Sequence, residues 1–351
     1  MSKKTRVLIV DDSAMVRMIL SKGLSQDPEI EVIGTAADPE IALRKLSQSK
    51  PDVMTLDVEM AKMDGVEFLR RLMPRFPIPV LMVSSLTERG GEITLDALDA
   101  GAVDFVTKPN IDIAYGLNEM LDDLRIKVKA VAKVDVSNYR KKCQQITKPI
   151  PRAAKVLAKS TDKVIAIGAS TGGTEAIRQV ITQFPASTPG VVIVQHMPPG
   201  FTQMFADRLN DQSEMEVREA QNGDRVLVGR ALIAPGDFHM KVKRIGGEYR
   251  VVCAKGEKVN GHRPSVEVLF DSVAEHVGSN AVGVVLTGMG GDGGQALLRM
   301  RQAGARTLAQ DEATSVVFGM PKVAYECGGA ERLIPIHSMS KSVLGLLTRK
   351  D

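Results

Sequence analysis

A serine set among glycines at the end of an apolar run is where chemistry first becomes legible in this chain of 351 residues. Val164, Ile165, Ala166 and Ile167 form a short continuous apolar stretch, the pattern of a strand buried on both faces of a parallel sheet. Gly168, Gly172 and Gly173 flank Ser170, and Thr174 to Gln183 follow with helical spacing, so the serine sits on a strand-to-helix turn beside the positive end of a helix. Gly168-x-Ser170-x-Gly172 has the literal spacing of a nucleophile elbow. A glycine-rich turn of this kind also cradles pyrophosphate in nucleotide-binding folds, so the motif alone leaves two readings open.

A serine nucleophile needs a base. Gly190 to Val194 read as a second buried strand that ends in Gln195-His196, so a parallel, adjacent pairing would bring His196 to the same sheet edge as Ser170. His239 and His262, read as loop residues, could line a pocket; His276 on a helix and His337 near the C-terminus read as structural or solvated. A third strand, Ala281 to Leu286, runs into Thr287-Gly-Met-Gly-Gly-Asp-Gly-Gly294, whose backbone amides must approach a phosphate or a developing oxyanion. Asp292 in that loop could orient an imidazole, or it could simply cap the helix that begins near Gln295. Asp311, at the end of Arg306 to Ala309, is its rival. The order Ser170, His196, Asp292 is not that of an α/β-hydrolase, in which the acid precedes the histidine. Dinucleotide binding fares badly too, because Gln195 and His196 stand where an acidic ribose ligand belongs.

Another constellation occupies the first third of the chain. Arg6 to Val10 is a buried strand ending at Asp11 and Asp12, and strand and helix then alternate through Glu31–Ala36, Asp38–Ser47, Val53–Val58, Gly65–Leu72, Val80–Ser84, Glu88–Ala100, Val103–Thr107 and a final helix from about Asp112 to Arg125. Asp38 and Pro39 are the N-cap and first residue of the second helix. Five such units predict a doubly wound parallel sheet with function gathered at the carboxyl ends of its strands. Asp11, Asp12, Asp57, Ser84 and Lys108 all lie at such ends. Three converging carboxylates call for a cation, and Mg²⁺ suits oxygen ligands that also face phosphate, with Asp57 as phosphate acceptor, Lys108 as counter-charge and Ser84 as the hydroxyl that senses the group.

These residues resemble a response-regulator receiver domain: Asp11-Asp12, Asp57, Val83-Ser84-Ser85 and Thr107-Lys108-Pro109 carry the likeness. It implies phosphoryl transfer from a histidine kinase to Asp57, Mg²⁺ held by Asp11, Asp12 and Asp57, and a switch involving Ser84 and Phe105. Ala61 stands where the receiver pattern has proline, a change expected to affect only loop flexibility. Gly168-Ala-Ser-Thr-Gly-Gly173, Val194-Gln-His-Met-Pro198 and Leu286-Thr-Gly-Met-Gly-Gly-Asp-Gly293 resemble the three signatures of the chemotaxis protein-glutamate methylesterases, the CheB family. That resemblance implies Ser170 as nucleophile, His196 as base, Asp292 as the residue orienting it, and the Met289 amide as an oxyanion donor. It also implies methylated chemoreceptor cytoplasmic domains as substrate, deamidation of particular receptor glutamines, and no cofactor for the esterase step.

The expected architecture is α/β throughout: a receiver over 1–124, a basic linker over 125–161 and a mostly parallel α/β catalytic domain over 162–351. Between Arg125 and Lys159 there are eleven Lys or Arg and one acidic residue, Asp135, which predicts a solvated, self-repelling tether with docking to an acidic partner as the alternative. The net charge of +4 is modest and does not call for nucleic acid, and with no helix-turn-helix pattern a DNA-binding output domain is disfavoured. Cys143, Cys253 and Cys327 are too scattered for a disulfide framework or a zinc site. The lack of a long apolar stretch, and a start at MSKKTRVLIV without a signal-peptide pattern, predict a cytoplasmic protein with no membrane insertion.

Overall fold

The computed structural model describes residues 3–60, 63–85, 87–108, 114–136 and 162–348, and the chain divides into two compact units, Met1–Pro151 and Arg152–Asp351. Ala61 and most of the expected linker lie outside the described residues.

In the first unit, five strands pair in the order β2-β1-β3-β4-β5: β1 Thr5–Val10, β2 Ile30–Ala36, β3 Val53–Asp57, β4 Val80–Ser84 and β5 Asp104–Thr107. Every pairing is parallel. All residues of the two central strands β3 and β4 are buried, which is why they read as unbroken apolar runs. Local signals set the helix starts as expected: Asp38 accepts from the Ile41 amide with Pro39 inside the first turn, and Asp64 caps Gly65–Leu72. The last helix differs from expectation. It runs over Ala114–Val131, past the expected end at Arg125, because Val128 and Val131 are fully buried and Arg125 Nε donates to the Gly23 carbonyl at 2.9 Å. The stretch expected to begin the linker is therefore helical at its start, and its basic residues there alternate with core positions.

In the second unit, seven parallel strands stand in the order β14-β13-β12-β6-β7-β9-β8, with β8 at Glu216–Glu219, β9 at Arg230–Ile233, β13 at Arg306–Gln310 and β14 at Arg332–Ile334. The three that matter most are central and fully buried: β6 Val164–Ala169, β7 Gly190–Gln195 and β12 Ala281–Val285. β6 lies between β7 and β12, so the chain leaves it in one direction and later returns on its other side. That is a topological switch point, where loops diverge and leave a crevice at the carboxyl ends. The apolar pattern of the sequence predicts a strand over Arg225–Ile233 and a hairpin over Met240–Cys253 turning at Gly246-Gly247. The strand is confined to Arg230–Ile233, and the edge strand Glu216–Glu219, four residues of which one is buried, carries little pattern. The antiparallel hairpin pairs His239–Ile245 with Glu248–Ala254 and does turn at Gly246-Gly247. His239 therefore opens a strand and is buried, contrary to its reading as a loop residue.

The helix Val266–His276 packs directly on β6: a Cβ at Gly168 would fall 2.2 Å from Val266 Cγ1. Leu269, Phe270 and Val273 fill the layer beneath it, all completely buried. This fixes the helix N-terminus over the carboxyl ends of the central strands. Among the described residues no helix is long and apolar enough to cross a membrane.

Candidate functional site

β6 and β7 pair with Ala169 opposite Gln195, so the next residue of each, Ser170 and His196, leaves the sheet at the same edge. The backbone enforces the match, since the His196 amide donates to the Ala169 carbonyl at 3.1 Å. The Gln195 side chain adds a second tie, its Nε2 donating to the Ser170 carbonyl at 2.9 Å. On the other side of Ser170, its amide donates to the Thr287 carbonyl at 3.1 Å, and Thr287 Oγ1 donates to the Thr171 carbonyl at 3.0 Å. The loops after β6, β7 and β12 are thus laced together.

Gly288 shows how close this packing is. A Cβ there would come within 2.3 Å of Met320 Sδ and 2.9 Å of Ser170 Cβ. Gly288→Ala is expected to destabilise the second unit by about 1–3 kcal/mol and to displace Ser170, read as a lowered unfolding midpoint together with reduced esterase turnover.

Asp292 is only 2% exposed, and donors surround its carboxylate. His196 Nε2 lies 2.9 Å from Oδ2, which also accepts from the Val266 amide at 2.7 Å. Oδ1 accepts from Asn260 Nδ2 at 2.8 Å, Ser265 Oγ at 2.8 Å and the Glu267 amide at 3.3 Å. Asp292 does not cap the helix that follows it, contrary to the cap reading. The helix after Asp292, Gly294–Gln302, has Gly293 at its N-cap without a side-chain cap, and the carboxylate instead satisfies the free amides of the helix Val266–His276. Burial pushes the Asp292 carboxyl upward, but the hydrogen bonds from His196, the Asn260 side-chain amide and the Val266 amide outweigh it and hold the group well below the ordinary carboxylate range.

An ionised Asp292 can only accept, so the imidazole nitrogen facing it, Nε2, carries the hydrogen. His196 Nδ1 then holds the lone pair. It is buried and without a hydrogen-bond partner among the described residues. The His262 ring stacks on His196 with centroids 3.7 Å apart and planes 15° from parallel, so His262 does belong to the site. The other histidines do not join it. His239 accepts from the Ser265 amide at Nδ1, His276 lies 3.8 Å from Glu275, and His337 is exposed. Asp311 is occupied elsewhere, closing a turn through the Thr314 amide and hydroxyl. Met289 lies in the loop beyond Gly288, part-buried.

The first unit gathers its expected residues as well. Carboxylate oxygens of Asp11, Asp12 and Asp57 lie within 4.8 Å of one another, Asp11 and Asp57 buried and Asp12 exposed. Lys108 Nζ is 3.0 Å from Asp11 Oδ2 and 2.9 Å from Asp57 Oδ1. Burial pushes the Asp57 carboxyl up to about 6, and Asp11 adds to the push against the pull of Lys108. Burial disfavours the Lys108 ammonium, yet Asp57 and Asp11 outweigh it and raise its pKa. Asp57 thus rises chiefly through burial, and Lys108 through its two carboxylate neighbours. Such a cluster, short of positive charge and open to water at Asp12, fits a divalent cation with oxygen ligands.

Ser84 is fully buried and its hydroxyl faces the helix Glu88–Asp99: it lies 3.1 Å from the Gly90 carbonyl and accepts from Thr94 Oγ1 at 2.6 Å. Phe105 is buried, with Lys127 Nζ 5.7 Å from its ring centroid.

A serine and an imidazole just beyond the ends of two adjacent parallel strands, with a buried carboxylate from the loop after β12 on the imidazole, have the residue types of a serine-hydrolase site, here in a chain whose other unit has the fold and acidic cluster of a phosphoacceptor domain. The CheB methylesterase family profile matches residues 165–343, and the response regulator receiver domain profile matches 7–120. The chain belongs to the CheB methylesterase family. It is 61% identical, over all of its length and 99% of the relative, to the protein-glutamate methylesterase/protein-glutamine glutaminase of Syntrophotalea carbinolica. It is 54% identical to the protein of the same name in Sulfurimonas denitrificans, over 98% of this chain and 99% of that one. The crystal structure of the Thermotoga maritima CheB methylesterase catalytic domain is similar at 39% identity and a TM-score of 0.52, covering 53% of this chain and 100% of that one.

Proposed function

We infer that this chain hydrolyses glutamate γ-methyl esters on methyl-accepting chemotaxis receptors and deamidates particular receptor glutamines, under control of phosphorylation at Asp57. The observation that carries the reading is that Ser170 and His196 leave adjacent strands at one sheet edge with the buried Asp292 carboxylate on the His196 ring, in a chain related over its full length to protein-glutamate methylesterase/protein-glutamine glutaminases.

In this reading Ser170 Oγ attacks the ester carbonyl while His196 Nδ1 takes its proton. Asp292 keeps Nε2 protonated and stabilises the imidazolium that forms. The oxyanion is received by amides around Met289. His196 then returns its proton to the departing methoxide, giving methanol, and activates the water that breaks the glutamyl-serine ester, releasing glutamate and Ser170. The same sequence on a glutamine releases ammonia.

The receiver over residues 1–124 takes a phosphoryl group on Asp57 from a chemotaxis histidine kinase, with Lys108, Ser84 and Phe105 responding to it. Asp11, Asp12 and Asp57 would hold Mg²⁺, which when bound supplies positive charge facing the phosphoryl oxygens. The esterase over 162–351 needs no cofactor in this scheme, and the whole acts in the cytoplasm on the cytoplasmic domains of receptors, without nucleic acid and without membrane insertion. Methanol release from methylated receptor membranes tests it: a small phosphodonor with Mg²⁺ should raise the rate severalfold, and Asp57→Asn should abolish that response while keeping the basal rate. A variant that still responds would remove Asp57 from its role.

A further inference from the structure

We propose that the turn Val259–His262 is a positioning element of the esterase site, Asn260 holding Asp292 from one side while the His262 ring covers His196. The inference rests on the reading above, and it adds residues that the three signature segments do not contain.

The turn is unusually well specified. Val259 and His262 exchange both backbone hydrogen bonds, at 3.1 and 3.0 Å, around Asn260 and Gly261, whose φ values of 52° and 81° are the left-handed pair that Asn-Gly adopts most readily. This geometry puts successive groups of one tight turn onto two partners. Asn260 Nδ2 donates to Asp292 Oδ1 at 2.8 Å, and the His262 ring lies 3.7 Å from that of His196, 15° from parallel.

Both ends of the surrounding loop are tied to the hairpin. The Ser265 amide donates to His239 Nδ1 at 3.3 Å, which makes Nε2 the protonated nitrogen, and Nε2 donates to the Glu257 carbonyl at 2.8 Å. Arg263 Nε donates to Asp237 Oδ1 at 2.8 Å, and the Asp237 amide returns a bond to the Arg263 carbonyl at 3.2 Å. The buried His239 thus acts as a fixed pin, and the turn cannot drift from the two side chains it touches.

Among the described residues the His196 ring makes one side-chain hydrogen bond, from Nε2 to Asp292, and its Nδ1 has none. It must keep Nε2 on Asp292 while Nδ1 faces Ser170, and a rotated ring loses both. An aromatic face stacked on it removes that freedom and also lies against the positive charge that develops on the imidazole. What His262 supplies is a flat surface, so any aromatic ring should serve.

The test measures methanol release by the full-length chain, with Ser170→Ala as the control for the underlying reading. His262→Ala should lower kcat by about 10- to 100-fold with KM little changed, and His262→Phe should recover activity to within about fivefold of the parent. Asn260→Gly, which keeps the left-handed turn but removes the amide on Asp292, should lower kcat by about 3- to 10-fold. Unfolding midpoints separate these effects from loss of fold, and a His262→Ala chain that does not fold leaves the His262→Phe and Asn260→Gly rates to decide. A folded His262→Ala with the parent's kcat, a folded His262→Phe as impaired as the alanine variant, or a folded Asn260→Gly with the parent's rate would overturn the proposal. If Ser170→Ala retained activity, the assignment of Ser170 in the underlying reading would fail instead.

Discussion

Ser170→Ala is expected to lower methanol release from methylated receptors by about 10³-fold or more while the unfolding midpoint of the second unit stays near that of the parent. Ser170 is part-buried at the end of β6, and the bonds that hold it in place are made by its backbone: amide to the Thr287 carbonyl, carbonyl from Gln195 Nε2 and the Gly173 amide. Removing one hydroxyl leaves that scaffold untouched. It does remove the only atom in the scheme that forms the covalent ester, so what remains is activity from oriented amides and bound water. Burst-phase labelling separates the roles: the parent should accumulate a glutamyl-enzyme ester and the variant none. Near-normal methanol release by the variant would remove Ser170 from its assignment.

Asp292→Asn should be nearly as damaging to turnover, by about 10³- to 10⁴-fold, and unlike Ser170→Ala it should also weaken the fold. Five donors converge on a carboxylate that has no donor of its own. An asparagine must turn its NH₂ toward some of them. Facing Oδ2, it meets the Val266 amide and drives His196 to the other tautomer, which puts the hydrogen on Nδ1 and leaves no lone pair for Ser170. Facing Oδ1, it opposes Asn260, Ser265 and Glu267. Either way the start of the helix Val266–His276 loses satisfied amides, at roughly 2–4 kcal/mol.

The pH dependence has a fixed sign. The folded-state pKa of Asp292 lies below its unfolded value, so its contribution is fully present above the unfolded value of about 4 and is lost as pH falls toward the folded value. The stability gap between parent and Asp292→Asn should therefore be constant at neutral pH and narrow below about pH 4, measured by denaturant unfolding across that range. A gap that persists unchanged into strong acid would mean that the carboxylate charge is not what the helix start depends on.

How much of this could be read beforehand differs between the two units. In the receiver, strands buried on both faces give unbroken apolar runs, and the clustered Asp11, Asp57 and Lys108 stand at their carboxyl ends, so their meeting was legible from position alone. The extra turns of the last helix were not, because Arg125, Lys127 and Lys129 alternate with the buried Val128 and Val131 and read as a charged tether. In the second unit Ser170 and His196 follow from the same strand-end logic. Asp292 was ambiguous because the local sequence offers it a nearby helix to cap, and the helix it does cap begins at Val266, before it in the chain.

The sequence by itself determined the parallel α/β class of both units, the strand ends and the side chains placed there, since burial on both faces leaves a continuous apolar signature and glycine spacing marks each turn. Only the tertiary structure decided which nitrogen of His196 faces the carboxylate, that Asp292 serves the helix Val266–His276, and that Asn260 and His262 enter the site. Those choices depend on which loops meet across the switch point between β12, β6 and β7. Residues far apart along the chain are brought within hydrogen-bond reach there by strand order and register, and no local pattern of apolar and polar residues encodes that meeting.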